Sequence, residues 1–473
     1  MYNDNYFDSD EFREILGEYE KAVNTGQPVF MDADELSEIA DFYQMNNRRD
    51  EAESAIRLAL SLSPGAIAPL TYRLHEALFE GDTKRAWEIL GQITEKSHPD
   101  YVYDRGEILI CEGRVDEADQ YFRDEIRKIP PEEYQDFAVD VASIYADYNL
   151  SEKAMEWMSR TKQEDTPEFK ELMARTLFGI GKYKDSERLF NELIDTDPYQ
   201  KRYWNALASA QMMNEDYSHA IESSEYAIAI DPKNAEGLIA KANGLYSLNN
   251  YEQAAEYYRR YLEQEPDDEL ARLHLGTCLI NTGQNDKAID ELKQAVDVCM
   301  PDSPYLADIY QELAFAYSEK DDADEAMNYM AMTDTLECDH TQANVIKGHI
   351  MLAAGRVEEA EDFFRQAIIS SDDATQTLLR VIVSLYDNQY LAATYTMLKK
   401  FFRLAGPENA DGYAYMALCC YDMKNYEECL SYLKTACQRN PKECRMVMGH
   451  LFPSEVEPRN YYDFLKEKIN SKL

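Results

Sequence analysis

Five cysteines crowd near the C-terminus, Cys419, Cys420, Cys429, Cys437 and Cys444, and four thiolates suffice to hold a tetrahedral zinc ion. Their spacing argues against that chemistry. The chain has nine cysteines, an odd number, with no CxxC pair, and Cys429 stands in a column of small residues that recurs along the whole sequence. Cys420 and Cys437 fall where neighbouring rows carry Leu279 and Val296, so they read as small apolar packing residues. The seven histidines are scattered, His340 and His349 being the closest pair. The short signatures of phosphate loops, zinc proteases, serine hydrolases and dinucleotide folds (GxxxxGKS/T, HExxH, GxSxG, GxGxxG) are absent. The expectation is a chain that is not an enzyme, with no cofactor, no metal and no small-molecule substrate.

Carboxylates are the other group with chemical potential. Asp and Glu number 90 against 48 Lys and Arg, a net charge of −42 over 473 residues. Such a field repels phosphate backbones and anionic lipid heads and attracts basic polypeptides. Nucleic acid and membrane surfaces are therefore not expected partners. Residues 1–150 carry −20 and the remaining 323 carry −22, so acidity is concentrated about twofold at the N-terminal end. The first ten residues have no basic n-region and no apolar core, as a secretory signal would require. No apolar run approaches the roughly 18 residues that span a bilayer. With the cysteine usage, this predicts a cytoplasmic protein in a reducing compartment.

What positions all of these residues is a repeat. From Trp204, the residues Leu207, Ala208, Ala220, Ala227 and Pro232 return 34 later as Leu238, Ala242, Ala254, Tyr261 and Pro266, and again as Leu275, Gly276, Ala288 and Ala295. The small residue alone runs Ala52, Ala86, Ala118, Ala154, Ser186, Ala220, Ala254, Ala288, Ala326, Ala360, Ala393, Cys429, which makes twelve rows. Each row holds two apolar stretches of helical period. They are separated by breaker residues such as Asn249-Asn250, Gly283-Gln284 and Gly355-Arg356, and closed by a proline such as Pro198 or Pro232. A small side chain where two helices cross lets their axes approach to roughly 8–10 Å.

This pattern resembles the tetratricopeptide repeat, a 34-residue helix-turn-helix unit. The resemblance implies an all-α, right-handed superhelical solenoid of about twelve helix-turn-helix repeats with terminal capping helices. The expected organisation is an N-terminal capping segment over 1–32, the array over 33–443 and a C-terminal capping helix or tail over 444–473. At the first end Asp8 and Glu11 would form a capping box for a helix with Phe12, Ile15, Leu16, Tyr19 and Val23 on one face. At the other, Tyr462, Leu465 and Ile469 would form the buried stripe, with Lys466, Lys468 and Lys472 outside it. A basic docking tail is the alternative for that segment.

In such an array the working surface is the concave side, lined by first-helix residues that face no neighbouring helix. Counted from the Trp204 column, these are acidic in the third and fourth repeats (Asp100, Asp104, Glu107, Asp136, Asp140) and neutral polar in the middle (Asn205, Ser209, Asn243, Thr277). They turn apolar or aromatic later, as at Val345, His349, Leu352, Ile382, Tyr386 and Leu418. The grip on a C-terminal carboxylate that some members of the family make with paired Lys and Asn is not expected, since only Arg175 and Arg202 are basic among these positions. The expected function is a non-catalytic protein–protein interaction scaffold or adaptor. It would bind a protein or peptide, of basic character near the N-terminal repeats, in its groove. The alternative is a structural subunit of a larger complex that uses its convex face and termini.

Overall fold

The computed structural model describes residues 6–7, 9–162, 165–336, 338–453 and 456–470. Asp8 and Lys472 lie outside the described residues. Among the described residues there are 27 α-helices and no strand, and none of the helices is long and apolar enough to cross a membrane. They gather into two compact units, Met1–Glu215 and Asp216–Leu473.

The first unit opens with α1 (Asp10–Thr25) and continues as five helical hairpins. These are α2 and α3 (Ala33–Met45, Arg49–Leu62), α4 and α5 (Ile67–Phe79, Thr83–Leu90), α6 and α7 (Pro99–Cys111, Val115–Glu125), α8 and α9 (Tyr134–Asp147, Ser151–Met158), and α10 and α11 (Pro167–Gly179, Tyr183–Thr196). Helix α12 (Lys201–Met213) closes it. The second unit opens with α13 (Tyr217–Ile230) and continues as six hairpins. These are α14 and α15 (Ala235–Ser247, Tyr251–Leu262), α16 and α17 (Glu269–Asn281, Asn285–Val298), α18 and α19 (Leu306–Ser318, Ala323–Thr333), α20 and α21 (His340–Ala353, Val357–Ser370), α22 and α23 (Ala374–Asp387, Leu391–Ala405), and α24 and α25 (Tyr413–Asp422, Tyr426–Arg439). Two shorter helices follow, α26 (Pro441–Met448) and α27 (Tyr461–Asn470). The fold is an all-α solenoid of helix-turn-helix repeats.

The second helices show why the sequence folds this way. In α11, Ser186, Leu189, Phe190, Leu193 and Ile194 are buried at i, i+3, i+4, i+7 and i+8, while Lys184, Asp185 and Arg188 face solvent. Each fully buried Leu, Ile or Phe stabilises the array by about 1.5–3 kcal/mol. The small-residue column is the fourth residue of every second helix, and it is inaccessible to solvent from Ala52 to Cys429. One row corrects the sequence reading. Ala393 is exposed, and the buried residue in that row is Thr394. The hydroxyl of Thr394 donates to the Tyr390 carbonyl at 3.1 Å, which lets a polar side chain stand where alanine stands elsewhere. With Thr394 in place the spacing from Ala360 is again 34.

The turn between the two helices is the same in all twelve rows. Five residues before the column stands a residue of positive φ: Asn47, Gly81, Gly113, Asn149, Gly181, Glu215, Asn249, Gly283, Asp321, Gly355, Gln389 and Lys424. In eleven of these rows the next residue donates back five places, as Arg48 N–H does to the Tyr43 carbonyl at 2.8 Å and Gln284 N–H to that of Leu279 at 2.8 Å. This is the Schellman closure of a helix, which satisfies carbonyls the helix itself leaves open. Glycine or asparagine at that place in eight of the twelve rows follows from the steric penalty of the left-handed region.

Close approach is a second use of glycine. A β-carbon built on Gly106, Gly276 or Gly348 in a first helix would lie within 2.5 Å of Phe122, Leu292 or Phe364, each the residue four after the column in the paired second helix.

At the N-terminal end, α1 is capped by Ser9, whose Oγ accepts from Phe12 N–H at 3.1 Å. Phe12 meets Phe42 at 5.2 Å and Tyr19 meets Tyr43 at 6.3 Å between ring centroids, whereas Val23 is exposed. At the other end the buried stripe of α27 is Tyr461, Leu465 and Ile469, packed on α25. Tyr462 is turned out of that stripe, within 6 Å of the ammonium groups of Lys434 and Lys466. The stripe starts one residue earlier than the sequence suggested because Phe452 stacks on Tyr461 at 3.7 Å and pins it inward.

Candidate functional site

Within each unit the first helices touch the first helices of the next repeat, α2 with α4, α4 with α6, α6 with α8 and α8 with α10, and likewise from α14 to α22. Their free sides form one face per unit.

In the first unit this face is a chain of polar contacts crossing from helix to helix. On α4, Thr71 Oγ1 donates to Asp104 Oδ2 at 2.8 Å. His75 Nε2 lies 3.2 Å from Asp104 Oδ1 and 3.3 Å from Glu107 Oε2 on α6. Tyr103 donates to Asp140 Oδ2 on α8 at 2.7 Å. Burial works against an imidazolium at His75, but the hydrogen bonds to Asp104 and Glu107 outweigh it and hold the pKa up at about 10. Burial raises the Asp104 carboxyl, with His75 and Thr71 pulling the other way. Burial also raises Asp140, and it pushes Asp41 of α2 up to about 6. The five acidic candidates therefore differ in kind. Asp104 is only 2% exposed, Glu107 and Asp140 already accept hydrogen bonds, Asp100 lies 3.6 Å from the His98 ring that caps its own helix, and Asp136 is exposed. The two basic residues of this face are paired, Arg175 with Asp147 at 2.6 Å and Arg202 with Glu171 at 3.2 Å. Among the neutral candidates on α12, Asn205 is 7% exposed, so it sits inside the layer, while Ser209 faces solvent.

In the second unit, Asn243 Oδ1 accepts from Tyr258 at 2.7 Å, and the same hydroxyl lies 3.2 Å from His274 Nδ1. Tyr246 stacks on His274 at 4.9 Å. Thr277 turns its hydroxyl back to the Leu273 carbonyl at 3.1 Å. On α18 burial pushes the Glu312 carboxyl up to about 7.

Beyond these residues the face opens into a pocket of about 630 Å³ between α18, α20, α22 and α24. Asp308, Gln311 and Phe315 line it from α18, Gln342, Val345 and His349 from α20, Arg380, Val383 and Asp387 from α22, and Tyr415 from α24. Asn388 Nδ2 lies 3.3 Å from His349 Nδ1 and donates to the Ser384 carbonyl at 2.9 Å. Burial lowers the His349 pKa, keeping the ring neutral. The sequence contained half of this site. Offsets of −2, +1 and +5 from Tyr310, the Trp204 equivalent in its row, are Asp308, Gln311 and Phe315. Adding 34 gives Gln342, Val345 and His349. On α22 the lining residues Arg380, Val383 and Asp387 stand 38 later, one helical turn beyond the 34-residue equivalents of Gln342, Val345 and His349. A strict 34-residue period therefore passes over Asp387. Of the apolar residues expected on this stretch, Leu352, Ile382 and Leu418 are buried in the core.

The cysteines are free thiols. Cys420, Cys429 and Cys444 sit in the apolar core of the last repeat, where Cys437 Sγ lies 3.5 Å from Cys444 Sγ. Among the described residues no three His, Cys, Asp or Glu side chains converge in a metal-binding arrangement.

Sequence profiles described as tetratricopeptide repeat match residues 172–235, 211–269 and 245–298. Residues 172–298 of the chain are tetratricopeptide repeats. Several curated proteins are similar to parts of it. Anaphase-promoting complex subunit 3 of Schizosaccharomyces pombe is 22% identical over 253 residues, half of this chain. Peptidyl-prolyl cis-trans isomerase FKBP4 of Homo sapiens is 25% identical over 143 residues, and sperm-associated antigen 1 of Mus musculus 28% over 95. These matches span 36%, 29% and 10% of the respective relatives, so the chain corresponds to about a third of their length or less. Among solved structures, MamA from Desulfovibrio magneticus RS-1 is 19% identical, covering 37% of this chain and 97% of that one at a TM-score of 0.35.

Proposed function

We propose that this chain is a scaffold that binds a protein or peptide partner along its first-helix faces and catalyses no reaction itself. The observation that carries this reading is the succession of polar and charged side chains that neighbouring first helices present on one side of each unit. An extended segment lying across several repeats meets such groups at regular intervals, and they can bond its backbone whatever its sequence. In the first unit the proposed contact residues are Asp100, Glu107, Asp136, Asp140 and Ser209, and in the second Asn243 and Thr277; Asp104 and Asn205, expected among them, are buried and act behind the face. The net charge of −42 supports a partner of basic character, steered in by the field of the chain, rather than nucleic acid or an anionic membrane. Free thiols throughout support a cytoplasmic setting.

The test is capture of partners from native lysate, run beside a variant with Asp100, Asp136 and Asp140 changed to Asn and Glu107 to Gln. The expected result is a partner retained by the parent and lost by the variant. A partner held equally by both places the contacts elsewhere.

A second reading, a structural subunit that uses its outer face, is favoured by Ile369 on α21 and Leu404 on α23, which are 77% and 71% exposed. The name of the Schizosaccharomyces pombe relative, a subunit of a complex, points the same way. Under this reading Ile369→Lys with Leu404→Lys abolishes capture, while the acidic-face variant retains it.

A further inference from the structure

The pocket between α18 and α24 combines three kinds of lining. Asp308 and Asp387 supply carboxylates, and among the described residues neither has a hydrogen bond or ion pair. Arg380, the one cation of the lining, is already engaged, its Nη1 bonding Gln342 Oε1 at 3.0 Å and lying 3.7 Å from Asp339 Oδ2. Phe315, Val345, Val383 and Tyr415 supply an apolar and aromatic part of the lining, and Gln311, Asp339, Gln342, His349 and Ser384 further polar groups. The pocket thus has two uncompensated negative charges beside an apolar wall. Resting on the scaffold reading above, we propose that it takes the side chain of a lysine or arginine carried on an extended segment of a protein partner, the cation drawn to the carboxylates of Asp308 and Asp387 that line the pocket.

Several features select this occupant. A hydrated metal ion has no use for the apolar wall, whereas the methylene stem of lysine or arginine lies along such a surface while its head stays polar. Phe315 and Tyr415 bring aromatic rings to the lining, and a cation is attracted to the face of such a ring. Gln311, which makes no hydrogen bond among the described residues, is free to bond the backbone of the segment. A volume of about 630 Å³ falls in the range of roughly 300–1,000 Å³ that holds a drug-sized ligand, so a basic side chain fits together with parts of its neighbours. The state of the carboxylates agrees with this. Burial raises Asp308 and pushes Asp387 up to about 6, the response of carboxylates placed in a groove without a counter-charge. A bound cation supplies that charge. The site lies far along the chain from the acidic cluster of the first unit, which is largely satisfied by its own His75, Thr71 and Tyr103.

The test uses the full chain and fluorescein-labelled octapeptide mixtures whose central residue is fixed as Lys, Arg, norleucine or Glu, the other positions being randomised. Anisotropy titrations are run with the parent and with the Asp308→Asn, Asp387→Asn double variant, and circular dichroism confirms equal helicity. Both carboxylates are solvent-accessible, so the double variant is expected to fold. The proposal predicts that Lys or Arg mixtures bind the parent about tenfold more tightly than norleucine mixtures, with the preference reduced to about twofold or less in the variant. Equal binding of Lys, Arg and norleucine mixtures overturns the pocket assignment and leaves the groove reading standing. A basic preference that survives in the variant overturns it as well, since the cation is then held elsewhere. If no mixture binds the parent, the groove reading falls together with the pocket.

Discussion

Single residues in this chain act through whether a neighbour leaves them room. Gly106 and Gly17 are both helical, but a β-carbon on Gly106 would sit 1.9 Å from the Phe122 ring, whereas one on Gly17 meets nothing within 4 Å. Gly106→Ala should therefore destabilise the protein by about 1–3 kcal/mol through overpacking. Gly17→Ala should stabilise it by about 0.5–1 kcal/mol, because alanine loses less backbone entropy in a helix. Thermal unfolding of the two variants checks the opposite signs. His75 gives a pH effect of definite direction. Its pKa stands at about 10 in the folded chain against an ordinary value of about 6.5. The folded state thus binds the proton more tightly than the unfolded one. The stability this contributes is fully present below about pH 6.5 and is lost as pH rises through 10. The melting temperature of the parent should exceed that of His75→Gln by most near pH 6, and the gap should close toward pH 10.

At the scale of the element, the second helix and its preceding turn form the unit that repeats most faithfully. A left-handed residue and a small buried side chain recur at fixed places in every row, and a back-bonded amide in eleven, even where residue types diverge, as with Lys424 and Gln389 in the turn or Thr394 in the column. The penultimate hairpin, α22 and α23, decides the register. Thr394→Leu should overpack the crossing and cost about 1–3 kcal/mol. Ala393→Leu, at an exposed position, should change stability by no more than about 0.5 kcal/mol. Chemical denaturation of the pair measures both, and the reverse order would restore the reading that places Ala393 in the column.

At the scale of the whole molecule, charge sets the behaviour. A chain of −42 that binds a basic segment should associate quickly at low ionic strength and more slowly as salt rises. The Debye length shortens from about 30 Å at 0.01 M to 10 Å at 0.1 M, which screens the steering field. Stopped-flow association rates for a Lys-centred peptide mixture, taken across that range, should fall by about tenfold or more. A rate indifferent to salt removes steering from the account.

The sequence by itself determined the repeat. Its period, its helix pairs, its small-residue column and its breaker turns follow from local spacing and from the steric limits of the backbone, and both are written in residue order. It also indicated which first-helix residues share a face, such as Asp104 with Asp140. Only tertiary packing decided what each of those residues does. Asp104 is buried and bonded by Thr71 and His75, which stand 33 and 29 residues earlier, and Asn205 is drawn into the layer. Asp387, one turn beyond the positions the period marks on α22, lines the pocket, and Thr394 rather than Ala393 fills the column. Partners so far apart in the chain meet through helix offsets of a few ångströms. Such offsets arise from the summed packing of side chains across repeats, which no single row of the sequence records.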